Sequence, residues 1–150
     1  MNYRKATYQD LSFIIDTYNA NINALHGEIR DYRIWEKLLD KEGVEYFIVY
    51  SDTNLGWFRL DYSEVLELGM LQISPSHQRE GVGRYIISVV EDIAKKKNYK
   101  EIIIHTTEDN VPAQKLYLSC GYELIEVGPC TTADGQERIG HTYKKEMQRI

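Results

Sequence analysis

Cysteine is scarce: the chain has two, Cys120 and Cys130. Neither belongs to a CxxC pair and no Cys/His cluster has zinc spacing, so neither a structural metal nor a disulfide framework is expected. Both read as reduced thiols, with Cys120 in the core. No repeat, low-complexity tract or linker interrupts the chain, and 150 residues fit one domain spanning 1–150. No apolar run approaches the ~20 residues of a membrane span. Met1 to Ala6 lacks the apolar stretch of a signal peptide. The expected location is therefore the cytoplasm, with no membrane partner. An excess of positive charge is missing too. The 18 basic and 23 acidic residues give a net charge of −5, which argues against a nucleic-acid partner bound through its phosphates.

What is present is an alternation of strands and helices. Tyr3–Ala6 reads as a strand, followed by Thr7 and Asp10 at capping-box spacing. Leu11, Ile14, Ile15 and Tyr18 fall at helical spacing, as do Ile34, Trp35, Leu38 and Leu39. Val44–Tyr50 and Gly56–Asp61 read as a hairpin around a polar turn, and Glu64–Ile73 as a third strand ending at Pro75. Gly69 inside that strand suggests a bulge that would splay it from its neighbour. Val82, Tyr85, Ile86, Val89, Val90, Ile93 and Ala94 mark the longest amphipathic helix, with Asn98 as its left-handed cap. Ile102–Ile104 reads as a strand buried on both faces. Asn110 caps a helix carrying Pro112, Ala113, Leu116, Tyr117 and Cys120, and Gly121 stops it. Two strands close the chain, Tyr122–Val127 and about 140–147, around a loop with Gly128, Pro129 and Asp134. This order predicts an α/β (α+β) fold with a mixed central sheet flanked by helices.

The segment Gln78-Arg79-Glu80-Gly81-Val82-Gly83-Arg84 joins a strand to the long helix. A helix N-terminus exposes unpaired N–H groups and partial positive charge, and glycines let a phosphate approach them. Ile86 stands where a dinucleotide fingerprint needs its third glycine, and no Walker A lysine follows. The run Leu71 to Gly83, with Gln78, Gly81 and Gly83 in a Gln/Arg-x-x-Gly-x-Gly/Ala pattern, resembles the signature of the GNAT superfamily of N-acetyltransferases. Arg4–Asp10 resembles that family's opening strand and cap. Asn110-Val111-Pro112-Ala113, Leu116-Tyr117 and Cys120-Gly121-Tyr122 resemble its late helix.

The resemblance implies a mainly antiparallel mixed sheet, acetyl-coenzyme A as cofactor, and acetyl transfer to a primary amine by direct attack, without a covalent enzyme intermediate. It implies that Gln78, Arg79, Glu80, Gly81, Val82, Gly83 and Arg84 cradle the pyrophosphate. Glu80 departs from the basic residue often found there, and suits a phosphate site only if it faces solvent or pairs with Arg84. Leu71, Gln72 and Ile73 would bind the pantetheine arm as an added strand would, with backbone N–H groups there as oxyanion donors. Asn110, Ala113 and Tyr117 would complete the cofactor site. Family members are often dimers, so a homodimer is compatible with the resemblance.

An alkylammonium, with a pKa near ~10.4, must lose a proton before it attacks. By its position relative to the family's motifs, the resemblance makes Glu67 the candidate base, with His105 or water as alternatives, and Tyr117 the candidate acid for the leaving thiolate. Tyr18, His26, Glu28, Asp31, Tyr32, Trp35, Asp61, Glu64, Glu108 and Asp109 offer acidic and aromatic groups suited to an alkylammonium. The 150 residues leave little room for a separate peptide-recognition domain, so a small-molecule amine is expected. A protein N-terminus or lysine is the alternative acceptor, and a non-catalytic acyl-coenzyme-A-binding module the alternative class.

Overall fold

The computed structural model describes residues 1–147. Strand β1 (Asn2–Lys5) leads through a 3-10 turn to helices α1 (Leu11–Ala20), α2 (Ile22–Leu25) and α3 (Tyr32–Leu39). Three strands follow, β2 (Val44–Tyr50), β3 (Asn54–Tyr62) and β4 (Leu66–Ile73). Then come α4 (Val82–Lys96), β5 (Glu101–Thr107), α5 (Val111–Ser119), β6 (Glu123–Thr131) and β7 (Glu137–Glu146). The strands form one seven-stranded sheet in the order β1-β2-β3-β4-β5-β7-β6. Its neighbours are antiparallel except β4 and β5, which run parallel. This is the mixed, mainly antiparallel sheet expected. No helix among the described residues is long and apolar enough to cross a membrane.

Local chemistry explains most boundaries. Arg4 grips the Asp10 carboxylate with two bonds of 2.8 and 2.7 Å, and the same carboxylate accepts the Thr7 N–H at 2.8 Å. One buried acid thereby joins β1 to the turn before α1. Asp31 Oδ1 accepts the N–H groups of Arg33 and Ile34, starting α3. Asn98 sits at φ +61° after α4 and Asn110 caps α5, as their residue types suggest. The sheet buries both faces. Phe58, Leu60, Leu66, Leu68, Ile102 and Ile104 pack under α4 and α5 with Ile86, Val90 and Tyr117. Ile48, Trp57 and Tyr46 pack under α1 and α3 with Leu11, Ile14, Tyr18 and Trp35. Full burial of one such side chain contributes about 1.5–3 kcal/mol.

Several boundaries differ from the sequence reading. β1 starts at Asn2 and stops before Ala6, β4 begins at Leu66, and β7 spans Glu137–Glu146. The short α2, without a buried residue of its own, carries no periodic signal. Ile103 is half-buried while Ile102 and Ile104 are buried, so β5 is dry on one face only. Gly128 and Pro129 lie inside β6 rather than in the loop. β6 is the sheet's edge strand, and an edge tolerates proline because one side needs no ladder donors.

The Arg4 pairing, ahead of the Thr7 N–H bond, holds the Asp10 carboxyl below its usual range. A lowered carboxyl contributes stability above its unfolded value of about 4 and loses it as pH falls through the folded value. Replacing Asp10 with Ala is expected to cost ~1–3 kcal/mol near pH 7 and to flatten the acid limb of stability. Urea unfolding of both proteins between pH 7 and pH 3 measures this.

Candidate active site

β4 pairs with β5 through three residue pairs, Leu66 with Ile102, Glu67 with Ile103 and Leu68 with Ile104. Beyond Leu68 the two strands part. On the other side, the β3–β4 register shifts so that Arg59 faces Met70 and Leu60 faces Leu68, leaving Gly69 unopposed. This is the bulge that Gly69 suggested. A Cβ on Gly69 would sit 2.6 Å from Arg59 Nη2 and 2.9 Å from Asp61 Oδ2, so the bare glycine leaves room for that pair. Arg59 and Asp61 bond across that gap at 2.8 and 3.1 Å. The parted stretch through Leu71, Gln72 and Ile73 keeps its β3 partners but has none on β5. Such a free edge takes an extended ligand by strand addition.

Asn21, at the end of α1, ties this edge to its surroundings. Its Nδ2 donates to Gln72 Oε1 at 3.1 Å and to the Ile73 carbonyl at 3.0 Å. Gln78 Nε2 donates to Asn21 Oδ1 at 3.5 Å. The sequence reading missed Asn21, since a helix-ending asparagine gives no sign of what lies across the fold.

After β4 the chain turns through Pro75–His77 into α4. Arg79 (φ +66°) and Gly81 (φ +83°) both adopt the left-handed conformation. A Cβ on Gly81 would meet nothing within 4 Å. Gln78, Arg79, Glu80, Gly81 and Arg84 are exposed, while Val82 and Gly83 are buried. The first bond of α4 runs from the Tyr85 N–H to the Gly81 carbonyl at 3.1 Å. The N–H groups of Val82, Gly83 and Arg84 therefore lack helical partners, at the positive end of a 15-residue dipole.

Three assignments are refined. A Cβ on Gly83 would lie 2.9 Å from Leu116 Cδ2, so this glycine lets α4 approach α5. Glu80 pairs with His77 Nδ1 at 3.1 Å and not with Arg84, whose Nη2 donates to Ser119 Oγ at 2.9 Å. Asn110 Oδ1 accepts the Ala113 N–H at 3.3 Å, the cap expected from sequence.

A row of polar side chains crosses the α1–α3 face at the point where β4 and β5 part. Tyr46 lies across from Arg59 and Asp61 across from Glu67. Glu67 Oε1 is 3.0 Å from His105 Nε2, and His105 Nδ1 is 3.0 Å from Thr142 Oγ1. The two candidate bases are therefore one contacting pair. His105 holds the Glu67 carboxyl below its usual value, and Glu67 lifts the imidazole above its own, with Glu126 adding to the lift. Asp61 is raised, first by burial, although Arg59 pulls the other way. Tyr117 is buried with its ring edge-on to Tyr143 at 5.7 Å, and burial pushes its phenol up to about 12. It stays protonated at neutral pH.

The acceptor residues divide. Tyr18 and Trp35 are core, each about 1% exposed and in edge contact at 4.9 Å. Their outer surfaces are covered by Arg30, 5.1 and 5.2 Å from the two ring centres. Asp31 is spent on capping α3. Glu28, Tyr32 and Glu64 are exposed. His26 Nε2 meets Asp109 Oδ2 at 2.6 Å. Glu108 and Asp109 line a cavity of about 320 Å³ with Glu137, Arg138 and Ile139.

A central strand that parts from its parallel neighbour beside a glycine-bearing helix N-terminus defines the acyl-coenzyme-A N-acyltransferase architecture. The Acetyltransferase (GNAT) family model matches residues 11–122, and the chain belongs to that family. Probable N-acetyltransferase 14 of Xenopus tropicalis is 26% identical over 117 residues, 78% of this chain. The chain spans about half the length of that curated relative, since the match covers 50% of it. Among solved structures, spermidine N-acetyltransferase from Vibrio cholerae, in complex with CoA and spermine, superposes with a TM-score of 0.84 at 19% identity. That match covers 97% of this chain and 95% of that one. Ribosomal-protein-alanine N-acetyltransferase from Brucella melitensis gives 0.82 at 16% identity, covering 97% and 99%. At these identities the likeness shows the fold.

The Glu67–His105 pair has a measurable consequence. It stabilises the fold above the usual glutamate range, and its contribution is lost as pH rises through the raised imidazole value. Replacing Glu67 with Gln is expected to move the His105 titration, followed by NMR, down toward the ordinary histidine value. An unmoved titration would mean the contact is not kept in solution.

Proposed function

We propose that the protein transfers an acetyl group from acetyl-coenzyme A to the primary amine of a small molecule, by direct attack. The observation that carries this reading is the free β4 edge opening beside Glu67 and His105. When bound, acetyl-coenzyme A supplies an activated acetyl group and a thiolate leaving group. The free N–H groups of Val82, Gly83 and Arg84 bind the pyrophosphate, with Arg79 adding charge and Gly81 leaving room. Gln78 and Glu80 border this cradle, while Asn110 and Ala113 start the helix that carries Tyr117. Leu71, Gln72 and Ile73 would line the pantetheine along the open edge, where the alternating N–H groups of Leu71 and Ile73 are the ones available as oxyanion donors.

Glu67 and His105 act together on the amine. In their paired state the shared proton sits between carboxylate and imidazole, so the pair accepts the ammonium proton only after releasing its own. Tyr117 faces the leaving sulfur. A phenol near 12 cannot hand its proton fully to a thiolate whose thiol has a pKa of about 8.5. The gap is uphill by on the order of 5 kcal/mol. Tyr117 therefore stabilises the leaving thiolate as a hydrogen-bond donor, and solvent completes the protonation.

A coenzyme-release assay over small amines and peptides tests the reading, with preference for small amines expected. Glu67→Gln should lower kcat/KM by ~10²–10⁴ on the best amine; an unchanged rate would move the base role elsewhere. Arg79 is exposed, so Arg79→Glu should leave the melting temperature in place. It should weaken coenzyme A binding about tenfold or more by calorimetry, as expected for replacing attraction with repulsion at a phosphate. Affinity within about threefold of the parent would place the cradle elsewhere.

A further inference from the structure

Among the described residues, six buried side-chain polar atoms have no hydrogen-bond partner, and four of them belong to one cluster. They are Arg30 Nη1, Trp35 Nε1, Trp57 Nε1 and Tyr46 Oη. Trp35 and Trp57 meet edge-on with ring centres 6.1 Å apart, and Tyr46 lies 5.6 Å from Trp57. Arg30 covers the outer side of Trp35 at 5.2 Å. Trp35, Trp57 and Tyr46 are all at most 2% exposed. Buried polar atoms without partners are rare, and each calls for an explanation.

The chemistry of the four atoms is one-sided. The guanidinium and both indole nitrogens can only donate, and the phenol can donate too. Among the described residues no carboxylate forms an ion pair with Arg30. Arg59, bonded to Asp61, also lies close enough to the Tyr46 phenol to donate to its oxygen, so what Tyr46 has left to give is its proton. Water could accept from these donors, yet it would leave the Arg30 charge unbalanced. A carboxylate answers both needs, with two acceptor oxygens matched to the guanidinium fork. Arg30 itself is half-buried, on the irregular segment between α2 and α3, which places the cation at the rim of the cluster.

The opposite charge stands close by on the same face of the sheet. Asp61 and Glu67 face one another across β3 and β4, each with about a third of its side chain exposed. Tyr46 and Glu67 lie two strands apart, on the order of 10 Å at the usual strand spacing. One end of this face is rich in donors and the other in acid.

We infer that the acetyl acceptor is an amino carboxylic acid, its carboxylate held by Arg30 at the rim of this donor-rich cluster and its ammonium delivered to Asp61 and Glu67. The inference rests on the acetyl-transfer reading and narrows it, since a polyamine would meet Arg30 with like charge. The same geometry explains why the Tyr18–Trp35 pair does not serve an ammonium: its cation–π surface already carries Arg30.

The chain has two tryptophans, and both are in this cluster, so intrinsic fluorescence reports on it directly. Glycine, 4-aminobutanoate and 6-aminohexanoate, each beside its carboxamide and beside putrescine, would be titrated into the full chain with coenzyme A present. At least one carboxylate should give a saturable change and bind about 10–100-fold tighter than its carboxamide, the range for hydrogen bonds to a charged group. Arg30→Gln should erase that preference, and Arg30→Lys should restore part of it. Fluorescence unmoved by every carboxylate, equal response to carboxamide and carboxylate, or a preference surviving Arg30→Gln would each overturn the inference. Coenzyme release measured on the same panel separates the two proposals. Release with carboxamides as good as carboxylates leaves acetyl transfer standing and removes the anion site. Carboxylate binding without any release does the reverse.

Discussion

β4 and β5 share three residue pairs and then separate, and every feature of the site is placed by that separation. A strand inside a sheet normally satisfies its N–H and C=O groups on both edges. Here the groups past Leu68 have ladder partners on the β3 edge only. The fold secures this exposure by packing rather than by flexibility. Gly69 sits at the bulge, and the Arg59–Asp61 pair fills the volume beside it that a side chain would enter. Asn21 then pins Gln72 and Ile73 from the helical side. An open edge tied down in this way would, on the proposed reading, lower the ordering cost of binding an extended ligand.

The same point organises the electrostatics. The strand that opens at Gly69 runs on into the loop before α4, so the chain passes directly from the open edge to the helix N-terminus with its N–H groups free of helical partners. Glu67 sits two residues before the bulge, still paired, where the parallel register sets it against Ile103 and brings His105 within 3.0 Å. The proposed acid–base pair thus lies on the closed part of the sheet and the proposed ligand-binding backbone on the open part. Tyr117 lies on α5 in the core under the sheet, packed beside Tyr143.

How much of this could be read from sequence followed the range of each interaction. Caps, stops and bulges are decided within a few residues, so Asp10, Asn98, Asn110 and Gly69 declared themselves. The long periodicity of α4 did the same, and three short motifs in order were enough to suggest the family. Contacts across the fold were not legible. Glu67 and His105 were seen as rival bases because nothing local fixes the register of two parallel strands joined through a helix. Gly83 was read as leaving room for a phosphate, and its packing against Leu116 across the fold was not legible. Tyr18 and Trp35 suited a cation by type, but Arg30 from a segment without periodicity already covers them. Asn21 and the short α2 left no trace because neither carries a pattern.

Amide hydrogen exchange with and without acetyl-coenzyme A tests the central claim most directly, namely that the parted edge of β4 is a binding surface. Slower exchange should concentrate at Leu71 to Ile73 and at Val82 to Arg84, with the β1–β2 ladder unchanged. Uniform protection, or none in those two stretches at saturating ligand, would contradict it.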